Sequence, residues 1–505
     1  MKKLNLTQYC FEGHALATPD KAAIIEAYTL EESRTYSYAE IYQQILNIAQ
    51  CFTIMGLAKN SHVVIRSYKN VDFLLIYFAA IAAGGVPIAT MPELKISELQ
   101  HIIDSAKPGL FFCVQKLMMD LKLPENCIAL TEYEFKKLKN TPHTDFRFNT
   151  FAEDPAFTIF TSGSSGPPKG VVHAHRNILG REPIRKYWST INAQDLVLVT
   201  GKPCWTYSMG TGFFDTFAQN ATALLYEAQI TDEIWFALIE KYRVSILASS
   251  PLYYKEMMHS PHAQVFDLSS LRRLLSAGEE LPQSIYDYFL KQYDQKIYQA
   301  LGMTECPTFI SSGDHAVPKM ASLGKIQPGR NISVRDLDDI SLPAAINKMG
   351  ILAVHKSEPS FMLGYLNSDT GQPIPLKQDW FDTNDRVYYD AEEYIYYVSR
   401  SDHILNLNSA RIAPHEVESI LLTIEGVIDA ACGVKYYSEK PDELWALIVA
   451  DPAKNLTEQA IIEQMAQKIS QRRIPRKIIF LDTLPKNNNG KLLRSAVDKF
   501  IEETK

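Results

Sequence analysis

Through roughly residue 300 the chain alternates short apolar runs with longer segments whose apolar residues recur at helical spacing. Few folds accommodate that alternation. His62–Ser67 (HVVIRS) and Leu110–Val114 read as strands, and Tyr38–Gly56 as a helix with Ile41, Ile45, Ile48, Ala49 and Phe52 on one face. Phe73–Ala89 nearly reaches the length of a membrane span, but Gly84, Gly85 and Pro87 interrupt it. It is expected to be a buried helix over 71–83 that turns into a strand over 86–90. Ser97–Ser105 reads as helical, with Ser97 and Gln100 at capping-box spacing. A second series follows. Strands are expected at Asp195–Thr200, Ala221–Tyr226, Val244–Ala248, Leu271–Ser276 and Lys296–Gln299. Helices are expected at Met209–Phe217, Asp232–Tyr242, Pro251–His259 and Pro282–Gln292. Strands alternating with helices specify parallel sheets in an α/β fold.

From about 320 the pattern changes to short strands (Ile332–Val334, Ile351–His355, Val387–Asp390, Tyr394–Val398), which suggests a small β-barrel or sheet. Beyond Arg400 comes a mixed α+β tail with helices near 414–423 and 456–471. The expected organisation is a large N-terminal domain over 1–399, made of α/β subdomains at about 1–155 and 156–320 and a barrel at 321–399. A connection at 400–402 and a C-terminal domain over 403–505 complete it.

Composition removes several function classes. A net charge of −7 leaves no basic face for nucleic acid. Seven scattered cysteines without a C-x-x-C pair suit a reducing, cytoplasmic setting and suggest no zinc site. The start, MKKLNLTQYC, has no apolar core of a secretion signal.

Between two apolar runs lies Thr161–Gly170, TSGSSGPPKG. Glycines let backbone approach a ligand, successive N–H groups make an anion cradle, and Lys169 adds charge. A polyphosphate is one candidate occupant; a plain flexible connection is the alternative. A Walker loop is excluded, because Pro168 precedes the lysine and Gly170 stands where Ser or Thr should follow it. Thr304-Glu305 ends a strand-like run, where a carboxylate beside a phosphate loop can hold Mg²⁺ or simply be a solvated glutamate. Asp385 is a turn aspartate able to accept from two ribose hydroxyls, with Arg400 as a nearby donor. Lys491 sits in a polar loop, Pro485–Lys491, where a lone lysine is ordinarily solvated. His173 and His175 share a strand face but have no evident third ligand, so they read as structural.

Taken together, TSGSSGPPKG, YQALGMTE (298–305), WFDTND (380–385), SRSDHIL (399–405) and PKNNNGKLLR (485–494) resemble, in order, the motifs of the AMP-forming adenylating superfamily. SAGEELP (276–282) and FMLGYLNSDTG (361–371) extend the likeness over essentially the whole chain, and Lys202–Leu225 looks most like benzoate- and other aryl-CoA ligases. The resemblance implies ATP-dependent activation of a carboxylic acid to an acyl-adenylate with loss of pyrophosphate. Transfer to a thiol follows, with CoA as acceptor or, alternatively, the phosphopantetheine of a carrier protein acting in trans. A degenerate, non-catalytic adenylate binder is the remaining alternative. It further implies that Thr161, Ser162, Gly163, Ser164, Ser165, Gly166 and Lys169 cradle the ATP phosphates. Thr304 assists them, and Glu305 binds Mg²⁺. Ala277, Gly278 and Glu279 with Gln299, Ala300, Leu301 and Gly302 line the adenine site. Asp385 and Arg400 hold the ribose, Lys491 is the catalytic lysine, and Asp402 is the hinge of a mobile C-terminal domain. Trp205, Tyr207, Ser249, Ser250, Leu301 and Met303 fall where relatives line the acyl pocket, and the aromatics suggest an aryl or short to medium acyl acid. Departures from the family pattern are Asn384 in place of glycine, Ser399 before Arg400, Asn406 in place of lysine, and Gly350-Ile351-Leu352.

Overall fold

The computed structural model describes residues 2–142, 146–161, 168–228, 231, 233–261, 265–401, 405–407, 410–412, 414–437, 441–469, 471–486 and 492–504. The chain divides into two compact units. The first comprises residues 1–162, 168–332 and 354–381; the second comprises 163–167, 333–353 and 382–505.

Two sheets organise the first unit. A nine-stranded sheet runs Lys325–Ile326, Ile310–Ser311, Ile297–Leu301, Arg273–Ala277, Ile246–Ser249, Leu196–Val199, Thr222–Tyr226, Ala22–Ala27, Ser33–Ser37. Its six central strands are parallel, and antiparallel strands close both edges. An eight-stranded sheet runs Gln372–Ile374, Gly364–Asn367, Lys169–Ala174, Pro155–Thr161, Val86–Thr90, His62–Arg66, Leu110–Cys113, Ile128–Thr131. The expected α/β architecture is present, and the chain threads between the sheets: the hairpin at 22–37 edges one, and the strands at 364–374 edge the other.

The inner faces share one apolar core. Val63, Ile65, Leu110 and Phe112 from one sheet and Val197, Val199, Ala248 and Leu275 from the other meet around the helix Val71–Ala82. Every residue of that helix except Asp72 is buried, which is why its sequence is apolar all round. Asn70 caps it by accepting from the Phe73 N–H at 2.9 Å. Helices Ile234–Tyr242, Pro251–His259 and Gln283–Tyr293 cover the outer face of the larger sheet, and Ile96–Ala106 covers that of the smaller.

Two local expectations change. The helix expected from Ser97 begins at Ile96, and its cap is the Glu98 carboxylate accepting from the Lys95 N–H at 2.8 Å. Gln100 instead donates to Asp104 at 2.7 Å, so the Ser97–Gln100 capping box does not form. A true capping box lies at Thr131 and Glu134, at the start of the helix Glu132–Lys139, in a stretch the periodicity left unread. The helix expected from Met209 starts at Thr206 and widens into a π-helical turn over Gly210–Asp215. That turn carries buried Asp215, which pairs with Arg181 at 2.6 Å and Arg185 at 3.3 Å.

The strands between residues 320 and 400 are shared among three sheets. Lys325–Ile326 and Gly364–Ile374 edge the two large ones, while Ile332–Arg335, Gly350–His355, Trp380–Tyr389 and Ile395–Arg400 form a four-stranded sheet whose residues belong mostly to the second unit. The rest of that unit is a two-stranded ribbon (Leu405–Leu407, Ala410–Ile412) and a three-stranded sheet (Val427–Lys435, Glu443–Ala450, Lys477–Phe480) with helices Pro414–Leu421, Glu458–Ala466 and Arg494–Glu503. The two faces of the three-stranded sheet bury separate apolar clusters, around Val417, Leu421 and Met465 and around Trp445, Val497 and Ile501. Among the described residues no helix is long and apolar enough to cross a membrane.

Candidate active site

In open α/β sheets, ligands bind beyond the carboxyl ends of parallel strands. In the first unit that edge carries most of the residues singled out from the sequence. Thr200, Ser249, Ser276 and Gln299 stand side by side at the ends of four neighbouring strands, in register as Ser249–Ser276 and Ser276–Gln299. Such paired positions present their side chains on one face. Thr200 and Ser249 share a hydrogen bond of 2.7 Å between hydroxyls.

The adenine candidates lie on the last two of these strand ends. Ala277 is buried, and Gly278 adopts φ +100°, a left-handed turn that glycine takes without strain. Glu279 follows it at the surface. Gln299 donates from Nε2 to the Ser322 carbonyl at 2.6 Å, which fixes its amide. Ala300 is buried and Leu301 half-buried. Gly302 has no room for a side chain, since a Cβ there would lie 2.4 Å from the Thr308 nitrogen. Glycine therefore allows the strand to turn into Met303, Thr304 and Glu305. Met303 closes that turn by donating its N–H to the Cys306 carbonyl at 2.9 Å.

The Thr304-Glu305 corner is held from several sides. His173 Nε2 donates to the Thr304 carbonyl at 2.8 Å. Its Nδ1 takes a hydrogen bond from Asn177 Nδ2 at 3.1 Å, which sets the tautomer with the proton on Nε2. The ring stacks on Phe157 at 4.8 Å, and burial lowers its pKa to about 4, so it stays neutral. The Glu305 carbonyl accepts from the Met362 N–H at 2.9 Å, and the Tyr365 hydroxyl donates to Glu305 Oε1 at 2.6 Å. His173 is thus no metal ligand, and its contact with Thr304, 131 positions away, carries no sequence signal.

The central loop is bounded by described residues. Thr161 and Lys169 pair across the two antiparallel strands that flank it, and the Lys169 ammonium sits 5.7 Å from the centre of the Tyr365 ring. Gly170 lets the neighbouring strand approach closely, because a Cβ there would meet Leu366 at 3.0 Å. Ser162, Gly163, Ser164, Ser165 and Gly166 lie outside the described residues.

The acyl-pocket candidates gather around Tyr207. Its hydroxyl donates to the Leu275 carbonyl at 3.0 Å, its ring lies 5.7 Å from that of Trp188, and burial holds the phenol far above its usual pKa. Tyr207 is therefore a fixed neutral wall whose hydroxyl is committed to a strand end. Trp205, two residues before Tyr207, and Met303, at the turn after the strand Ile297–Leu301, are half-buried. Ser249 is held by Thr200, but the buried hydroxyls of Thr206, Ser208, Ser250 and Ser276 have no hydrogen-bond partner among the described residues. Buried polar groups are normally paired, so these four are available to something else. Cys306 is fully buried, which pushes its thiol up to about 12 and leaves no thiolate near neutral pH.

In the second unit Asp385 and Arg400 face one another on paired strands, with Arg400 Nη1 3.4 Å from Asp385 Oδ1. The Asp385 N–H donates to the Thr383 hydroxyl at 3.2 Å, and that hydroxyl donates to the Leu352 carbonyl at 2.8 Å. Asn384 has φ +66°, so it occupies a left-handed position that glycine or asparagine accepts best. Its N–H donates to Asp382 at 2.6 Å, and Ser401 donates to its side-chain oxygen at 3.1 Å. The departure from glycine therefore keeps the backbone turn. Ser399 is buried opposite Arg386 in the same strand pair. Asn406 lies on Leu405–Leu407, paired with Ala410–Ile412. Asp402 and Lys491 lie outside the described residues. Lys486 and Leu492, which bound the Lys491 loop, pair as an antiparallel bridge.

Three comparisons place this geometry among known proteins. The family described as AMP-binding enzyme matches residues 11–366, and the AMP-binding enzyme C-terminal domain matches residues 416–491. An uncharacterised acyl–CoA ligase of Bacillus subtilis, YtcI, is 25% identical over 97% of this chain and 95% of its own length. The benzoate–CoA ligase of Thauera aromatica is 26% identical over 92% of this chain and 91% of its own. The crystal structure of ATP-bound MatB from Rhodopseudomonas palustris superposes with a TM-score of 0.88 at 19% identity, covering 99% of both chains.

Proposed function

The chain belongs to the AMP-binding enzyme family, and from that premise we propose how its own residues activate a carboxylic acid with ATP and pass it to the thiol of CoA. The observation that carries the residue assignment is the Thr304-Glu305 corner. Its backbone is tied down on both sides, one carboxylate oxygen is held by Tyr365, and the other has no partner among the described residues. Such a corner is pre-organised to meet a charged ligand at no further ordering cost.

Lys169 and the loop from Thr161 hold the phosphates that leave as pyrophosphate, and Thr304 supports them. Among the described residues no group of three or more His, Cys, Asp or Glu is placed to hold a metal. A lone carboxylate fits Mg²⁺, which usually binds through one or two carboxylates plus substrate phosphates. Glu305 is the residue that would hold it, and the ion would supply neutralisation of phosphate charge. Ala277, Gly278 and Glu279 with Gln299–Gly302 take the adenine, the Gln299 amide being already fixed. Asp385, with Arg400, takes the ribose hydroxyls. Lys491, which lies outside the described residues, is the lysine assigned to this step: its ammonium would offset the repulsion between the attacking carboxylate and the α-phosphate. The carboxylate oxygen attacks the α-phosphorus and the bond to the β-phosphate oxygen breaks. No protein nucleophile takes part, in keeping with the neutral Cys306 thiol.

The acid is aryl or short to medium acyl. Tyr207 and Trp205 supply flat apolar walls, and the four unpartnered hydroxyls add tolerance for a polar substituent. Seven free cysteines suit a reducing, cytoplasmic setting.

Pyrophosphate exchange across a panel of aryl and short alkyl acids tests the reading. We expect acid-dependent exchange that falls at least about 100-fold in Lys491→Ala. Exchange with no acid, or exchange untouched by that substitution, would overturn it. Product analysis with CoA against a holo carrier protein checks the acceptor, and thioester only on the carrier would overturn CoA.

A further inference from the structure

One strand ties the phosphate loop to the proposed metal ligand. Lys169–Ala174 begins at the exit of the loop and carries His173, which holds the Thr304 carbonyl. Its antiparallel neighbour, Gly364–Asn367, is registered Tyr365 against Val171 and packs closely on Gly170, where a Cβ would meet the Leu366 side chain at 3.0 Å. That register places Tyr365 with its hydroxyl 2.6 Å from Glu305 Oε1 and its ring 5.7 Å from the Lys169 ammonium.

We propose that Tyr365 is a positioning residue of the adenylation reaction: its hydroxyl holds Oε1 of Glu305, so that Oε2 is the oxygen offered to the metal. This rests on the reading of Glu305 as the Mg²⁺ ligand. The physical case is direct. A hydrogen bond from a hydroxyl to a carboxylate at this length is in the strong, charge-assisted range. A glutamate left to itself samples several rotamers and must be ordered whenever it ligates. Tyr365 removes that freedom in advance, and it is itself fixed by strand pairing rather than by a loop. The Lys169 ammonium over its ring is within cation–π distance, so one side chain touches both the loop lysine and the acidic ligand. Partners that orient a metal ligand typically change metal affinity 10–100-fold when removed.

The deciding variant is Tyr365→Phe, which keeps the ring and deletes the hydroxyl. Mn²⁺ serves as the probe ion, read by electron paramagnetic resonance with a non-hydrolysable ATP analogue and no acid present. We expect Mn²⁺ affinity to fall about 10-fold, with analogue binding in the absence of metal unchanged. In pyrophosphate exchange the metal concentration for half-maximal rate rises in parallel, while the rate at saturating metal stays within about twofold. Unchanged Mn²⁺ affinity, with only a lowered Tm, makes Tyr365 structural and overturns the proposal. Loss of metal-free analogue binding also overturns it, because the hydroxyl then supports the whole site. If the natural protein binds no Mn²⁺ with the analogue, the Glu305 reading itself falls, which is a separate failure.

Discussion

The Glu305 corner and the surroundings of Tyr207 lie on the edge of the same sheet and are built in opposite ways. At Glu305 the backbone carbonyls of 304 and 305, the carboxylate oxygen Oε1 and both nitrogens of His173 all have partners. Around Tyr207 four buried hydroxyls have none. On the proposed reading, the more complete region, paired except for the Glu305 oxygen left for the metal, carries the step common to every substrate, and the region with unpaired hydroxyls meets the part of the acid that varies.

The largest effect should come from the complete region. Glu305→Gln keeps the shape and removes the charge, and pyrophosphate exchange should fall about 10²–10³-fold with every acid alike. A loss confined to some acids would erase the contrast. Acid should loosen the same corner through His173. Its folded pKa, about 4, lies below the ordinary value near 6.5 because burial disfavours the charged ring. The unfolded chain therefore binds the extra proton first, and stability present above pH 6.5 is lost as pH falls toward 4. By pH 5 the loss from this one group is on the order of 2 kcal/mol. His173→Gln should flatten that part of a Tm-against-pH curve, and an equally steep curve would remove His173 as the cause. The smallest effect sharpens the other side. Ser276→Ala deletes an unpartnered hydroxyl, so Tm should hold or rise slightly, while KM rises about 2–10-fold only for acids bearing a polar substituent. A uniform KM change would show that Ser276 does not read the acid.

Much of the frame was legible because its signals are local. The helix at 71–82 and the strand at 86–90 follow from an apolar run broken by Gly84, Gly85 and Pro87. The spacing of Ser97 and Gln100 predicts a cap that lies two residues earlier, at Lys95 and Glu98, since Glu98 and Gln100 are both acceptors and only the chain direction before the helix decides between them. Asn384 replaces a glycine of the family pattern, yet its positive φ shows that the turn survives, with its N–H donated to Asp382 and its side-chain oxygen accepting from Ser401. Tyr365 and His173 were visible as residues but not as partners of Glu305 and Thr304. Those contacts span 60 and 131 positions, and no pattern within an element encodes them.

The apolar layer between the two large sheets has a consequence for how the first unit folds. It joins Leu6, Phe78 and Phe112 to Phe214, Leu275 and Ala300, and the nine-stranded sheet has strands from both ends of the unit at its edges, Ser33–Ser37 and Lys325–Ile326. Neither sheet can close its inner face until the other is in place. The full core is therefore expected to close only once residues near 300 have been added, although the helices Tyr38–Ile54 and Val71–Ala82 give the earliest strands partial cover.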